Sequence, residues 1–362
     1  MTYLTKKELS WFKTLSEKNA ISGQENEISS FLKSEFEHRQ LPIVTDRLGS
    51  IFAVKKSRTP DPIKVMIMGH MDEIGFVVSK IESNGMVRIL PIGGINPLTL
   101  TSQRMRIKTI QKTYVYGAID ATPPHLLGSG TPAIPLVQDL YLDVGLSSKE
   151  AVEQAGVRIG SMVTFDTSFH VLNDGQRIIG KAFDNRYSIV MGLSVLDALK
   201  NVDLPFDLYV GASVQEEIGL RGAQTMTHVI QPDFAIVLDC SPARDSSGNK
   251  DELGQLGGGV LLRYMDRSMV ARPSLLAYQE KMAKKAKVPY QYFDSPGGTD
   301  AGAVHKSADG VMTLTHCIVA RSIHSPSTIL DTQDFLSSKK TLLTLLKDFS
   351  AKRFEQLQRE DR

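Results

Sequence analysis

The sequence predicts an α/β protein interrupted by a small β-rich, barrel-like insert, and three observations carry that reading. Short apolar runs alternate with amphipathic helical segments over residues 1–74 and 171–362. Between Gly75 and His170 the texture changes to short strand-like runs broken by turn residues. Four of the apolar runs also lead straight into an acid or a histidine, and open α/β sheets place ligands at the carboxyl ends of their strands. The expected layout is a discontinuous domain, 1–74 and 171–362, with a central mixed sheet flanked by helices, and a second domain at 75–170.

Taken in order, the chain opens with two helices. In the second, Ile28, Phe31, Leu32 and Phe36 share one face, behind Ser22 and Gly23 as the entry. Residues 50–54 and 63–68 are apolar and β-prone, and the second run closes on Gly69-His70-Met71-Asp72. Within the insert, FVVSKI, MVRILP, RMRIKTI, TYVYGAI and MVTF read as strands, with one short helix near 137–142. The α/β pattern then resumes with RIIGKAF and a helix carrying Ile189, Leu193 and Leu196. DLYVGASV and FAIVLD follow as strands, then a helix near 274–285. A last helix over 334–356 places Phe335, Leu342, Leu346 and Phe349 on one face. No internal repeat or low-complexity tract is visible.

Composition narrows the function classes. An apolar share of 41% and a charged share of 23% are those of an ordinary soluble globular protein. Net charge is +2 with acids and bases interspersed, so no nucleic-acid partner is expected. No stretch approaches membrane-spanning length, and the first residues lack a signal-type apolar core. Cys240 and Cys317 are the only cysteines, both inside apolar runs, which points to a reducing compartment. The cytoplasm is the expected location.

Five strand-end or loop motifs hold metal-competent side chains: Gly69-His70-Met71-Asp72, Ala182-Phe183-Asp184-Asn185, Val214-Gln215-Glu216-Glu217, Val237-Leu238-Asp239-Cys240 and Arg321-Ser322-Ile323-His324-Ser325. Singly each is ordinary, since an Asp after a strand is usually a cap or turn residue. As a set they bring two imidazoles and three carboxylates to one sheet edge, which suits a pair of divalent ions of zinc type. Three carboxylates against two divalent ions leave one positive charge, and water held there loses a proton near neutral pH. If the strand stays extended through Glu216-Glu217, the two carboxylates diverge, one to a metal and one to substrate as general base. Asp72 can reach back to the free ring nitrogen of His70 and fix its tautomer.

These motifs resemble a known family. The order GHMDEIG, KAFDNR, VQEEIGLRGA, VLDCSPA, GGTDAGA, ARSIHSP is similar to that of the dinuclear metallo-aminopeptidases, which include bacterial glutamyl aminopeptidase and the tetrahedral (TET) aminopeptidases. The likeness runs nearly end to end and includes PPHLL and DLYLDVG in the insert. It implies that Asp184 bridges two ions, zinc or cobalt. His70 and Asp239 would complete one site, and Glu217 and His324 the other. Glu216 would be the catalytic base, with Asp72 supporting His70. It also implies release of the N-terminal residue from short peptides, dimerisation through 75–170 and assembly into a hollow dodecamer. Gly257-Gly258-Gly259 and Ser322 depart from the family's usual text, at places where substrate could be read.

NPLTLTSQR, VQEEIGLRGA and LLRYMD look closer to glutamyl aminopeptidase than to broad or leucine-preferring relatives, which implies Glu or Asp at the substrate N-terminus. An acidic side chain needs a cation, and Arg263 in LLRYMD is the candidate. A broad or leucine-type aminopeptidase is the main alternative. A deacylase or carboxypeptidase, a glycosidase and a non-enzymatic assembly protein follow at a distance. The glycosidase reading leaves His70 and His324 idle, and a relic would have lost ligands.

Overall fold

In the computed structural model, which describes residues 3–126 and 134–361, two helices open the chain. The hydroxyl of Thr5 accepts the Glu8 amide while the Glu8 carboxylate accepts the Thr5 amide. That exchange starts α1 (Lys6–Glu17), which buries Trp11, Phe12 and Leu15. α2 (Asn26–His38) buries Ile28, Leu32 and Phe36, with Phe31 at the edge of the same core. Its cap position is Glu25 rather than Ser22 or Gly23, and the Glu25 side chain caps no helix amide.

Three strands come next: β1 (Ile43–Thr45), β2 (Ile51–Lys55) and β3 (Lys64–His70). The following six form the insert: β4 (Gly75–Ile81), β5 (Val87–Ile92), β6 (Arg104–Lys108), β7 (Tyr114–Ile119), β8 (Leu142–Asp143) and β9 (Met162–Phe165). They close into a barrel in the order β4-β5-β8-β7-β6-β9, with β9 pairing back onto β4. Closure removes free edges, and Phe76, Ile89, Met105, Ile107, Val163 and Phe165 fill the interior. The helix expected near 137–142 is a single 3₁₀ turn, Val137–Asp139, followed by β8. A helix that the spacing did not reveal, α3 (Lys149–Gln154), starts at Ser148, whose hydroxyl accepts the Ala151 amide. Both pieces are shorter than the window over which a helical period can be read. The PPHLL motif lies partly outside the described residues.

The remaining elements are β10 (His170–Leu172), β11 (Arg177–Gly180), α4 (Phe183–Ala198), β12 (Asp207–Ser213), α5 (Arg221–Ile230), β13 (Phe234–Pro242) and β14 (Val260–Met265). Then come α6 (Pro273–Ala286), β15 (Tyr290–Asp294), α7 (Ala301–Val304), β16 (Met312–Arg321), β17 (Thr328–Asp331), α8 (Thr332–Asp348) and α9 (Ala351–Glu360). The main sheet runs β1-β2-β12-β3-β13-β16-β17-β11-β10, with β14 and β15 branching from β16. β12, β3, β13 and β16 are parallel, while β2 and β17 run against them, so the sheet is mixed as expected. The parallel strands are apolar and buried almost end to end, because helices cover both faces. α4 packs on β3, β12 and β13 and is buried on all sides from Phe183 to Leu196.

The last helix is not continuous. α8 stops at Asp348, Phe349 is extended, and the Ser350 hydroxyl accepts the Arg353 amide to start α9. Phe349 stacks on Phe234 at 4.5 Å and meets Phe206 edge-on, so tertiary packing overrides the helical spacing there.

The barrel is clasped to α2. The Glu27 carboxylate accepts the Tyr114 hydroxyl at 2.6 Å, the Lys108 ammonium at 2.7 Å and the Asn19 amide at 3.0 Å. Cys240 and Cys317 are buried free thiols.

Candidate metal centre

Each candidate side chain reaches the centre from the carboxyl edge of the parallel strands. His70 is the last residue of β3. Asp239 lies on β13 beyond Val237, where that strand's pairing with β3 ends. Asp184 opens α4 with non-helical dihedrals (φ −80°, ψ 102°), before the regular helix begins. His324 sits in the loop between β16 and β17 with φ +55°.

Glu216 and Glu217 are not on an extended strand. β12 ends at Ser213, Gln215 takes φ +57°, and the Gly219 amide returns to the Glu216 carbonyl, so both acids occupy a turn. The turn is fixed by the Asp72 carboxylate, whose Oδ1 accepts the Glu216 amide and Oδ2 the Glu217 amide, each at 3.1 Å. Divergence of the two side chains therefore comes from turn geometry and not from the pleat. Glu216 Oε2 lies 3.9 Å from His70 Nε2, while Glu217 Oε1 lies 3.4 Å from His324 Nε2.

Asp184 spans the two imidazoles. Its Oδ1 is 3.3 Å from His70 Nε2, and its Oδ2 is 3.4 Å from His324 Nε2. Asp239 Oδ1 stands 3.9 Å from His70 Nε2. Donor atoms of His70, Asp184 and Glu217 lie within 4.8 Å of one another, close enough to surround one cation. The other half of Asp184, with Glu217 and His324, offers a second set of donors.

The electrostatics fit cations as well. Burial, together with the Asp184 charge, pushes Asp239 up to about 7. Burial drives Glu217 to about 8, with Asp184 and Asp72 adding repulsion that His324 only partly offsets. Burial opposes a charged imidazole at both histidines, yet the surrounding carboxylates outweigh it: His70 is held well above its ordinary value and His324 at about 10. Crowded acids that take up protons for want of positive charge are the donor set a divalent ion would relieve.

Over residues 49–341 the chain matches the family of M42 glutamyl aminopeptidases. It belongs to that family. M42 members are metal-dependent peptidases, so this chain is an aminopeptidase, and His70, Asp184 and Glu217 form a group that could hold a metal ion. It is 37% identical to the glutamyl aminopeptidase of Lactococcus lactis, over 95% of this chain and 97% of that one. A TET aminopeptidase from a marine-sediment archaeon of the Thaumarchaeota superposes with a TM-score of 0.92 at 32% identity, covering 97% of this chain and 100% of the other. The TET1 peptidase of Pyrococcus horikoshii, which assembles into a tetrahedron or a large octahedral shell, gives 0.85 at 26% identity, over 94% and 100%.

In this M42 chain the support of His70 differs from the simplest expectation. Its Nδ1 lies 3.1 Å from the Asp72 carbonyl oxygen and 3.5 Å from the Asp72 carboxylate, so the main chain is the nearer partner. Two further buried acids were not among the candidate site residues: Glu25, outside every quoted motif, and Asp300, inside GGTDAGA. Glu25 is buried against Asp72, and its Oε1 accepts the Gly23 amide at 2.7 Å and the Gln215 amide at 3.2 Å. Burial, reinforced by Asp72, lifts its pKa to about 7. Asp300 shares a 2.5 Å hydrogen bond with Ser213 behind the strand ends, and its other oxygen is buried without a partner. Within motifs already singled out, Glu73 pairs with Lys181 at 2.6 Å and with Arg186 at 3.0 Å, bracing the end of β3. KAFDNR and GHMDEIG held these residues in plain view, without showing that they meet.

Arg263 is buried, and much of its charge is already answered. Its guanidinium donates to Asp266 at 3.2 Å and to the Ser241 hydroxyl at 2.9 Å, while Nε is buried with no hydrogen-bond partner.

Proposed function

We propose that the chain removes the N-terminal residue of short peptides using two divalent ions, zinc or cobalt, held by His70, Asp184, Glu217, Asp239 and His324. The observation that carries this reading is Asp184, whose two oxygens each face a different imidazole at 3.3 and 3.4 Å. Bound ions would supply Lewis-acid polarisation and a water acidic enough to react at neutral pH. The rest of the chemistry falls to side chains. Glu216, in a turn beside His70 and 12% exposed, takes the proton from water as the nucleophile forms and hands it to the departing amine. Asp72 holds that turn and, with its own carbonyl, the His70 ring.

Preference for Glu or Asp at the N-terminus is supported by the name of the L. lactis relative and by Arg263, whose Nε has no partner. Self-association through residues 75–170 is supported by apolar side chains the insert leaves exposed: Leu90, Leu98, Tyr116, Leu126, Ile134 and Leu136. The dodecamer of the similar PhTET1-12s structure makes a dodecamer the proposed end point. Among the described residues no helix is long and apolar enough to cross a membrane, and a cytoplasmic location is proposed.

The test is hydrolysis of aminoacyl chromogenic substrates by metal-stripped protein, with zinc, cobalt or manganese restored. Activity should return with two ions per chain and be highest on Glu- and Asp-substrates. Full activity in the stripped protein would overturn the metal reading.

A further inference from the structure

The five proposed ligands are not equally well held. Side chains of His70, Asp184, Glu217 and Asp239 are 9% exposed or less, whereas that of His324 is 35% exposed. Packing therefore does little to fix the His324 imidazole, and its loop carries two positive φ angles, at Ser322 and at His324 itself. The ring is held from the other side. Its Nδ1 lies 2.7 Å from the carbonyl oxygen of Gly94, in the turn that follows β5 of the barrel. A carbonyl oxygen can only accept, so Nδ1 must carry the proton. Nε2, 3.4 Å from both Asp184 and Glu217, is then the nitrogen left to release its proton and offer a lone pair to a cation.

The neighbouring Gly93 meets the other ligand. It takes φ +84°, and a Cβ there would come within 2.8 Å of Ile74 Cγ2 and 3.2 Å of Glu217 Cβ and Oε2. Adjacent residues of one barrel turn thus lie against both members of a single ligand pair. His70 is different: its Nδ1 partner is the Asp72 carbonyl, two residues away on its own loop.

We propose that the Gly93–Gly94 turn of the barrel is a positioning element for the ion assigned to Glu217 and His324. The Gly94 carbonyl selects the His324 tautomer and Gly93 leaves room for Glu217. One metal position is built within the sheet edge, and the other borrows its alignment from the insert. This rests on reading Glu217 and His324 as ligands, and the experiment separates the two claims.

Zinc binding is measured by equilibrium dialysis on wild-type protein, Gly93→Ala and His324→Ala, alongside 15N NMR of the histidine rings in the zinc-loaded wild type. In Gly93→Ala one zinc should bind as in the wild type, and the second about ten- to a hundredfold more weakly. The His324 ring should be protonated at Nδ1. Two tight zinc ions in His324→Ala would remove the ligand reading and the proposal with it. Loss of one zinc in His324→Ala, with unchanged binding in Gly93→Ala, overturns the proposal alone. Should Gly93→Ala fail to fold, the tautomer decides: Nδ1–H supports the proposal and Nε2–H overturns it.

Discussion

Asp72 holds Glu216 by the backbone, its Oδ1 accepting the Glu216 amide at 3.1 Å. Its other oxygen takes the Glu217 amide at 3.1 Å and the Ser22 hydroxyl at 2.6 Å, so one buried carboxylate organises the proposed base and a proposed ligand together. Burial works against its charge, but His70, Ser22 and the turn amide hold its pKa below the usual carboxylate range. Asp72→Asn keeps the shape and puts an NH₂ where an acceptor is needed. The expected result is a fall in kcat of about ten- to a hundredfold with weakened zinc binding, because residues that orient ligands act on both. Unchanged kcat and zinc affinity would show that the turn holds itself.

Glu216→Gln and Asp184→Ala should fail in different ways. The first removes a proton carrier and no proposed ligand, so kcat should drop by about a hundred- to ten-thousandfold with two ions retained per chain. The second removes the carboxylate between the imidazoles and should cost metal occupancy itself. Metal analysis of both proteins is the check. Metal loss in Glu216→Gln with full occupancy in Asp184→Ala would reverse the assigned roles.

The α/β class and the barrel-like insert were legible because strand texture and helical periodicity change where the topology changes. The ligand candidates were legible for a related reason: a buried parallel strand must be apolar, so the acid or histidine at its end stands out, as at His70 and Asp239. Turns were not. Glu216 and Glu217 follow an apolar run and look extended, and only the backbone bonds to Asp72, over 140 residues away, bend them. Glu25 and Gly94 act through a carboxylate and a carbonyl on distant backbone or ring atoms, which no local pattern reports. Phe349 read as helical until its stacking on Phe234 was visible.

Acid should loosen the clasp between α2 and the barrel. Burial opposes the Glu27 charge, but bonds from Lys108, Tyr114 and Asn19 outweigh it and draw its pKa from 4.5 to about 2. The unfolded chain therefore binds a proton here at higher pH than the folded one. The stability this group contributes is complete above pH 4.5 and is lost as the pH falls toward 2. Metal-free wild-type protein should lose Tm across that window. Glu27→Gln should start lower at neutral pH and descend less steeply, and parallel curves would rule the clasp out as the cause.

Light scattering on native protein should report an assembly, with dimers as the minimum. Replacing Leu98 and Tyr116 together by Ser, both more than half exposed on the insert, should shift the distribution toward smaller species. A wild-type monomer at micromolar concentration would remove the assembly reading, whereas a stable dimer would remove only the dodecamer.

Arg263 is the sharpest test of substrate preference, because the structure gives it a structural duty as well. It donates to Asp266 and Ser241, so Arg263→Ala strands a buried carboxylate and can lower all activity together. The informative quantity is the ratio of kcat/KM for Glu- and Leu-substrates within one variant, which cancels a general loss. If the guanidinium also binds the substrate carboxylate, removing it costs about 1.5–3 kcal/mol, so the ratio should fall by roughly ten- to a hundredfold. Arg263→Lys keeps the charge but not the two-pronged geometry, and should recover only part of the ratio. An equal fall on both substrates would assign Arg263 to the Asp266 pair alone. Wild-type protein cleaving Leu- or Lys-substrates faster than Glu- and Asp-substrates would end the acidic preference, while leaving the role of Asp184 between the two imidazoles untouched.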